Sequence, residues 1–203
     1  IMTMTVSRVS ANKAQGGSNT TLSPDGGGLF LASASTNTII RSIIDGNQCG
    51  RRGGGIYIAG KLRMINSLVT GNNSLSDNGD GIYMLSGLAG ITNCTIAGNS
   101  AVGLWCAGGT MRLVNSVAWG NTDDLAGTMD VSYSDVETAD AFWSVGVDGN
   151  ISEDPVFVDT DMYRLEMTSP CINIGQNASW AYSAKDLDGN PRINNGRIDI
   201  GAY

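Results

Sequence analysis

The chain has 203 residues, 28 of them glycine, with 12 basic against 19 acidic residues and a net charge of −7. Apolar content of 41 % with only 15 % charged residues excludes a disordered chain, and glycine without a three-residue period excludes collagen. No apolar run approaches the ~20 residues of a membrane span, and the acidic balance argues against nucleic acid or anionic lipid as a partner.

Histidine is absent. That removes Ser-His-Asp and Cys-His catalysis and histidine-ligated zinc together. The chain opens at Ile1, in strand-like sequence without an initiator Met or a signal peptide, so it reads as a mature or truncated piece of a longer chain. Coils on its N-terminal side are expected to be missing.

In chain order, Met4 to Asn12 carries the first strand pattern, and Gln15 to Gly27 reads as a loop inserted between coils. Two marks then recur. Gly-Asn falls at Gly46-Asn47, Gly71-Asn72, Gly98-Asn99 and Gly120-Asn121, in steps of 25, 27 and 22. Glycine before an apolar-aromatic pair falls at Gly28, Gly55, Gly81 and Gly103 with a similar period. Aligned on these marks, Leu29/Ile56/Ile82/Leu104 and Leu31/Ile58/Met84/Cys106 face one way, and Phe30/Tyr57/Tyr83/Trp105 between them face outward, because side chains alternate along a strand. Ser42/Ser67/Cys94/Ser116 and Ile44/Val69/Ile96/Ala118 form an inner set, with Ile43/Leu68/Thr95/Val117 outward. Asn66, Asn93 and Asn115 precede that set, which suggests a bend where asparagine adopts the left-handed conformation and stacks its amides as a structural ladder.

No segment sustains a 3.6-residue period with helix caps. Short strands, glycine corners and about 22–27 residues per coil predict an all-β chain, a parallel β-helix (solenoid) over residues 1–127, with coils stacked ~4.8 Å apart. From Thr128 the repeat stops. Residues 128–203 are expected to form a loop-rich wrap that covers the open end of the solenoid.

The wrap contains Tyr133-Ser134-Asp135-Val136, Asp154-Pro155-Val156-Phe157, Tyr163-Arg164-Leu165, Ser169-Pro170-Cys171-Ile172-Asn173-Ile174-Gly175, Asp186-Leu187-Asp188-Gly189-Asn190-Pro191-Arg192 and Asp199-Ile200-Gly201-Ala202-Tyr203. This order closely resembles the C-terminal region of secreted bacterial right-handed β-helix proteins of the choice-of-anchor or polymorphic-outer-membrane-like kind. The Gly-Asn coils extend the resemblance over essentially the whole chain. It implies a right-handed β-helix, a secreted or cell-surface location, and a chain that continues past Tyr203 into an anchoring domain. It brings no catalytic residues with it.

Candidate chemistry is sparse. Gly55 to Lys61 has phosphate-loop spacing, but Leu62 stands where Ser or Thr should bind magnesium and no helix follows. Asp186, Asp188 and Asn190 have the alternating oxygen spacing of a calcium loop, without the closing Glu; the other reading is a turn. Asp77/Asp80 and Asp159/Asp161 are further short acidic pairs. Hydrolysis would need two facing carboxylates, and the outward columns give at most an alternating basic stripe, Thr38/Arg63/Gly90/Arg112. The aromatic column Phe30, Tyr57, Tyr83 and Trp105, with Trp119 elsewhere, is the candidate ligand-binding surface, for stacking a polysaccharide or holding a surface protein. Its alternative is rings stacked on one another. Cys94 and Cys106 fit a core, and Cys49 and Cys171 are open to pairing in an oxidising exterior. The expectation is a non-catalytic extracellular module for adhesion, glycan binding or surface architecture. The alternative is a β-helix polysaccharide lyase or glycoside hydrolase with its active site in this segment or in missing coils.

Overall fold

A computed structural model describes residues 1–15, 24–76, 78–137 and 146–203. Most of the inserted loop expected over 15–27, and Asp77 of one acidic pair, lie outside the described residues.

Each coil turns two of its corners on one residue in the left-handed region. The first is Val6, Arg41, Asn66, Asn93, Asn115 or Tyr133, with φ between 48° and 51°. Asparagine holds three of these positions because its short polar side chain tolerates that conformation best among non-glycine residues. The second corner is Ala11 and then Gly46, Gly71, Gly98 and Gly120, with φ between 54° and 68°. This corner is why the repeat is marked by Gly-Asn.

Between the corners run parallel strands. One six-stranded sheet comprises Met2–Thr5, Thr36–Ile40, Lys61–Ile65, Leu88–Thr92, Thr110–Val114 and Asp130–Ser132. A second comprises Arg8–Ser10, Ile43–Asp45, Leu68–Thr70, Thr95–Ala97, Val117–Trp119 and Asp135–Val136. A short third sheet holds Lys13–Ala14, Gln48–Cys49 and Asn73–Ser74. A fourth holds Leu29–Leu31, Ile56–Ile58, Ile82–Met84, Val102–Cys106 and Asp123–Gly127. Among the described residues the one helical segment is the short 3-10 turn Ser179–Ser183, and no helix is long and apolar enough to cross a membrane.

The register read from the columns holds. Ile82 pairs Ile56 and Leu104, and Val69 pairs Ile44 and Ile96. Ser67, Val69, Cys94, Ile96, Ser116 and Ala118 are buried, as are Ile56, Ile58, Ile82, Met84, Leu104 and Cys106. Strand pairing continues past residue 127, since Asp130–Ser132 and Asp135–Val136 extend the first two sheets.

The amide ladder lies one corner away from its expected place. Asn66, Asn93 and Asn115 are buried at their left-handed bend, but their side chains reach outward to the C-terminal segment instead of to one another. Their Nδ2 groups donate to the carbonyls of Lys185, Asp199 and Gln176 at 2.6, 3.1 and 2.9 Å. The ladder is built by the asparagine after each corner glycine, whose side chain points inward. The backbone N–H and Nδ2 of Asn47 both donate to Oδ1 of Asn72 at 3.0 Å. Asn72 does the same to Asn99, and Asn99 to Asn121. Asn12 starts the series onto Asn47, and Asn121 ends it on Asp124 Oδ1 at 2.8 Å. The second glycine mark is explained by space: a Cβ on Gly55 or Gly81 would sit 2.6 or 2.4 Å from a backbone oxygen of the next coil and 3.0 Å from the amide of Asn72 or Asn99.

Among the described residues, most of the wrap lies along the side of the solenoid. The turn ending at Ile151 sits against the last coil, where Tyr133 N–H donates to Asp148 O and Ile151 N–H to Ser134 O. The rest passes over the outer face of the second sheet, where Val117 packs with Cys171 and Ile200 and with half-buried Trp119, Phe157 and Leu165. Leu68, Thr95 and Val117, outward from the core, are thereby buried. Arg192 fixes the segment, donating to the carbonyls of Tyr203 at 2.6 Å and Gly201 at 2.7 Å and to that of Asp199.

Replacing Asn72 by Ala strands the two N–H donors of Asn47, and each buried orphan costs about 1–3 kcal/mol. Urea unfolding should show Asn72→Ala losing at least twice the stability lost by Ser76→Ala, an exposed change on the same coil.

Candidate binding face

Among the described residues, the outer side of the first sheet is an open face of the solenoid. Its outward positions run in two adjacent files, Thr36–Lys61–Leu88–Thr110 and Thr38–Arg63–Gly90–Arg112, in register across four coils. A groove of about 640 Å³ follows these files. At its centre, a Cβ placed on Gly90 would meet nothing within 4 Å, so the missing side chain leaves a notch between Arg63 and Arg112. Exposed Lys61 and Arg63 stand on one strand, and neither forms an ion pair among the described residues. Arg112 bonds Asp130 at 3.2 Å with both side chains about two-thirds exposed, a pairing that holds the guanidinium weakly. Arg112 also lines a second cavity of about 370 Å³ over the last coil. Three cations therefore gather on one face of an acidic chain. None of the described residues that line the central groove is acidic.

The aromatic column is stacked on itself. Phe30 and Tyr57 have ring centroids 4.8 Å apart at 9°, Tyr57 and Tyr83 5.8 Å at 11°, and Tyr83 and Trp105 5.9 Å at 56°. Arg52 lies against Tyr57 and Tyr83, 5.3 and 5.1 Å from their centroids, and pairs with Asp25 at 2.7 Å. Tyr57 and Tyr83 keep only 4 % and 6 % exposure, whereas Phe30 at the end of the row keeps 56 %. On Tyr57 and Tyr83 the faces a sugar would need are occupied by neighbouring rings. Trp119 belongs to the apolar contact beneath the wrap, away from this column.

The calcium-like triad makes a turn. Asp186 Oδ1 accepts from Asn190 N–H at 2.8 Å, Asp188 takes both ends of the Arg164 guanidinium at 2.7 and 2.9 Å, and Asn190 is exposed. No group of three or more His, Cys, Asp or Glu able to hold a metal ion occurs among the described residues. All four cysteines are free and buried, so Cys49 and Cys171 do not pair. Cys171 Sγ instead donates to Asp135 Oδ2 at 3.1 Å, and burial pushes its thiol pKa up. Gly55 to Lys61 crosses from one strand to the next, without a helix to receive phosphate.

Burial raises the pKa of three carboxylates, Asp124, Asp135 and Asp199. Desolvation pushes Asp124, at the end of the ladder, up to about 7, and Asp135 up to about 6. The Thr38/Arg63/Gly90/Arg112 stripe is legible in the sequence, and Lys61 joins it on the same face. The signal available was that Lys61 stands two residues before Arg63, on the same side of a strand.

An all-β parallel solenoid whose coils stack in register around an aliphatic interior defines the β-helix class of protein. The right-handed β-helix region family matches residues 27–142, more than half of the chain, and the chain belongs to that family. No curated protein matches it, and no solved structure matches it.

Two outcomes are expected. Tyr83→Ala should lower the melting temperature, since each ring contact contributes about 0.5–1.5 kcal/mol beyond area, and leave polysaccharide binding unchanged in a pull-down. Asp124 and Asp135 have folded pKa values above the unfolded ~3.9, so the folded state binds more protons and their contribution to stability is lost as pH rises through about 6 to 7. The urea midpoint should therefore be higher at pH 5 than at pH 8, and Asp124→Asn should flatten that difference.

Proposed function

We propose that this chain is a non-catalytic, extracellular or cell-surface β-helix module that binds an anionic polysaccharide along the outer face of its first sheet. The observation that carries the reading is the groove around Gly90, flanked by Lys61, Arg63 and Arg112 on a chain of net charge −7. Strands ~4.8 Å apart place Arg63 and Arg112, two strands apart, at roughly 10 Å. That interval suits the carboxylates of alternate sugars in an extended uronate chain. Leu88 and Thr110 beside them offer the apolar and hydroxyl contacts that sugar rings take up. The surface location is supported by the motifs of residues 128–203, which resemble those of choice-of-anchor and polymorphic-outer-membrane-like proteins. The polysaccharide-lyase reading draws on the same three cations, any of which could act as a base toward a uronate.

Affinity electrophoresis or calorimetry with polygalacturonate, alginate and a neutral glucan separates these readings. The unmodified chain should bind the polyuronates alone, more weakly as salt rises, and release no unsaturated product. Arg63→Ala and Lys61→Ala should each weaken binding at least fivefold at unchanged melting temperature. Retained affinity in both variants overturns the assignment of the groove, and unsaturated uronate product would make the chain a lyase.

A further inference from the structure

The groove on the first sheet is not uniformly charged along its length. Coil by coil its outward positions present Thr36 and Thr38, then Lys61 and Arg63, then Leu88 and Gly90, then Thr110 and Arg112. Uncharged and cationic coils alternate, so the cations recur at every second strand. The uncharged coil between the two cationic ones also differs in shape. Leu88 keeps 48 % exposure, which sets an apolar side chain at the surface, and Gly90 leaves the notch beside it. Thr92, the next outward residue on that strand, lines the same space. Glycine weakens a strand interior, and at this position the fold does not ask for it. The backbone of Gly90 is outside the left-handed region, and a Cβ there would meet nothing within 4 Å. Neither conformation nor packing among the described residues accounts for the missing side chain, and the space it leaves opens into the groove.

A pyranose in an extended chain advances by about one strand spacing, ~4.8 Å, so a polysaccharide laid along the files sets one sugar over each coil. A chain with a carboxylate on every sugar brings one of them against Leu88 and Gly90, where no cation of that coil offsets its desolvation. A chain with a carboxylate on every second sugar brings its charges to Lys61 and Arg63 and to Arg112, and its neutral sugars to the uncharged coils. We infer that the groove selects a polysaccharide in which uronates alternate with neutral N-acetylated sugars, one acetyl group entering the notch over Gly90. Leu88 offers that group an apolar contact for its methyl, and Thr92 a hydroxyl for its amide. Gly90 and Leu88 are then the specificity-determining residues, while Lys61, Arg63 and Arg112 supply the attraction. This inference rests on the proposed reading of the groove as an anionic-polysaccharide site.

Calorimetry with two oligosaccharides of equal length provides the test. One is cut from hyaluronate, which alternates glucuronate with N-acetylglucosamine, and the other from polygalacturonate, which is charged on every sugar. The unmodified chain should bind the alternating oligosaccharide about fivefold more tightly. Gly90→Lys fills the notch and puts a cation on the uncharged coil, at a position with room for a side chain. It should weaken hyaluronate binding about tenfold and strengthen polygalacturonate binding, reversing the preference at unchanged melting temperature. Should that variant unfold, Leu88→Lys makes the same change of charge from the exposed neighbouring file. Polygalacturonate bound as tightly as hyaluronate by the unmodified chain, or a preference that survives both lysine variants, overturns the inference. If Arg63→Ala still weakens both ligands in that case, the anionic-polysaccharide reading stands without it. Binding to neither oligosaccharide overturns both.

Discussion

The molecule depends on the inward-pointing amide of the asparagine that follows each corner glycine. A narrow solenoid turns its backbone around a closed interior, and each turn directs N–H and C=O groups into a space without water. Asparagine answers this with two donors and a divalent acceptor on a short stem. Nδ2 of Asn72 serves Oδ1 of Asn99 and also the carbonyls of Ile44 and Thr70, so one side chain satisfies the corners of two coils. The glycines at 55, 81 and 103 follow from it, because the amides occupy the volume a side chain would need. The stacked rings of the fourth sheet, held at coil spacing, are a further consequence of that regular rise.

The other left-handed corner performs a different task. Its asparagines have the same backbone conformation as the ladder glycines, yet they lie between two strands whose following residues point into the core, so their own side chains point out. There they hold backbone carbonyls of residues 176–199 and anchor a segment that has almost no regular structure of its own. Among the described residues this divides the surface of the solenoid: the second sheet is covered, the fourth is self-stacked under Arg52, and the first stays open. The location of the groove is thus decided by where the C-terminal segment lies.

Much of this was legible in the sequence. Spacing of Gly-Asn and of glycine-aromatic gave the coil, and alternation gave the facing of Ile56, Val69 and Ile96 correctly, since burial on a strand has a period of two. What was not legible was which asparagine file bonds to itself. Asn66/Asn93/Asn115 and Asn47/Asn72/Asn99/Asn121 have the same period, and only the side-chain direction at each corner separates them. The path of residues 154–203 was hidden for another reason: its bonds to the coils run through backbone carbonyls, which carry no residue identity. The groove was half visible, because Gly90 contributes by lacking a side chain and a gap in a column looks like an interruption.

The strap along the side also acts as a gauge. Its carbonyls at Gln176, Asp199, Lys185 and Asp186 meet Asn115, Asn93, Asn66 and Arg41 on four consecutive coils, so its span is matched to a fixed number of rises. Solenoids lengthen and shorten readily by duplicating or losing a repeat, since each repeat contacts only its neighbours. Here a coil gained or lost between Arg41 and Asn115 would throw every anchor beyond it out of step by one rise, about 4.8 Å. The number of coils between Arg41 and Asn115 is therefore matched to a segment that belongs to none of them.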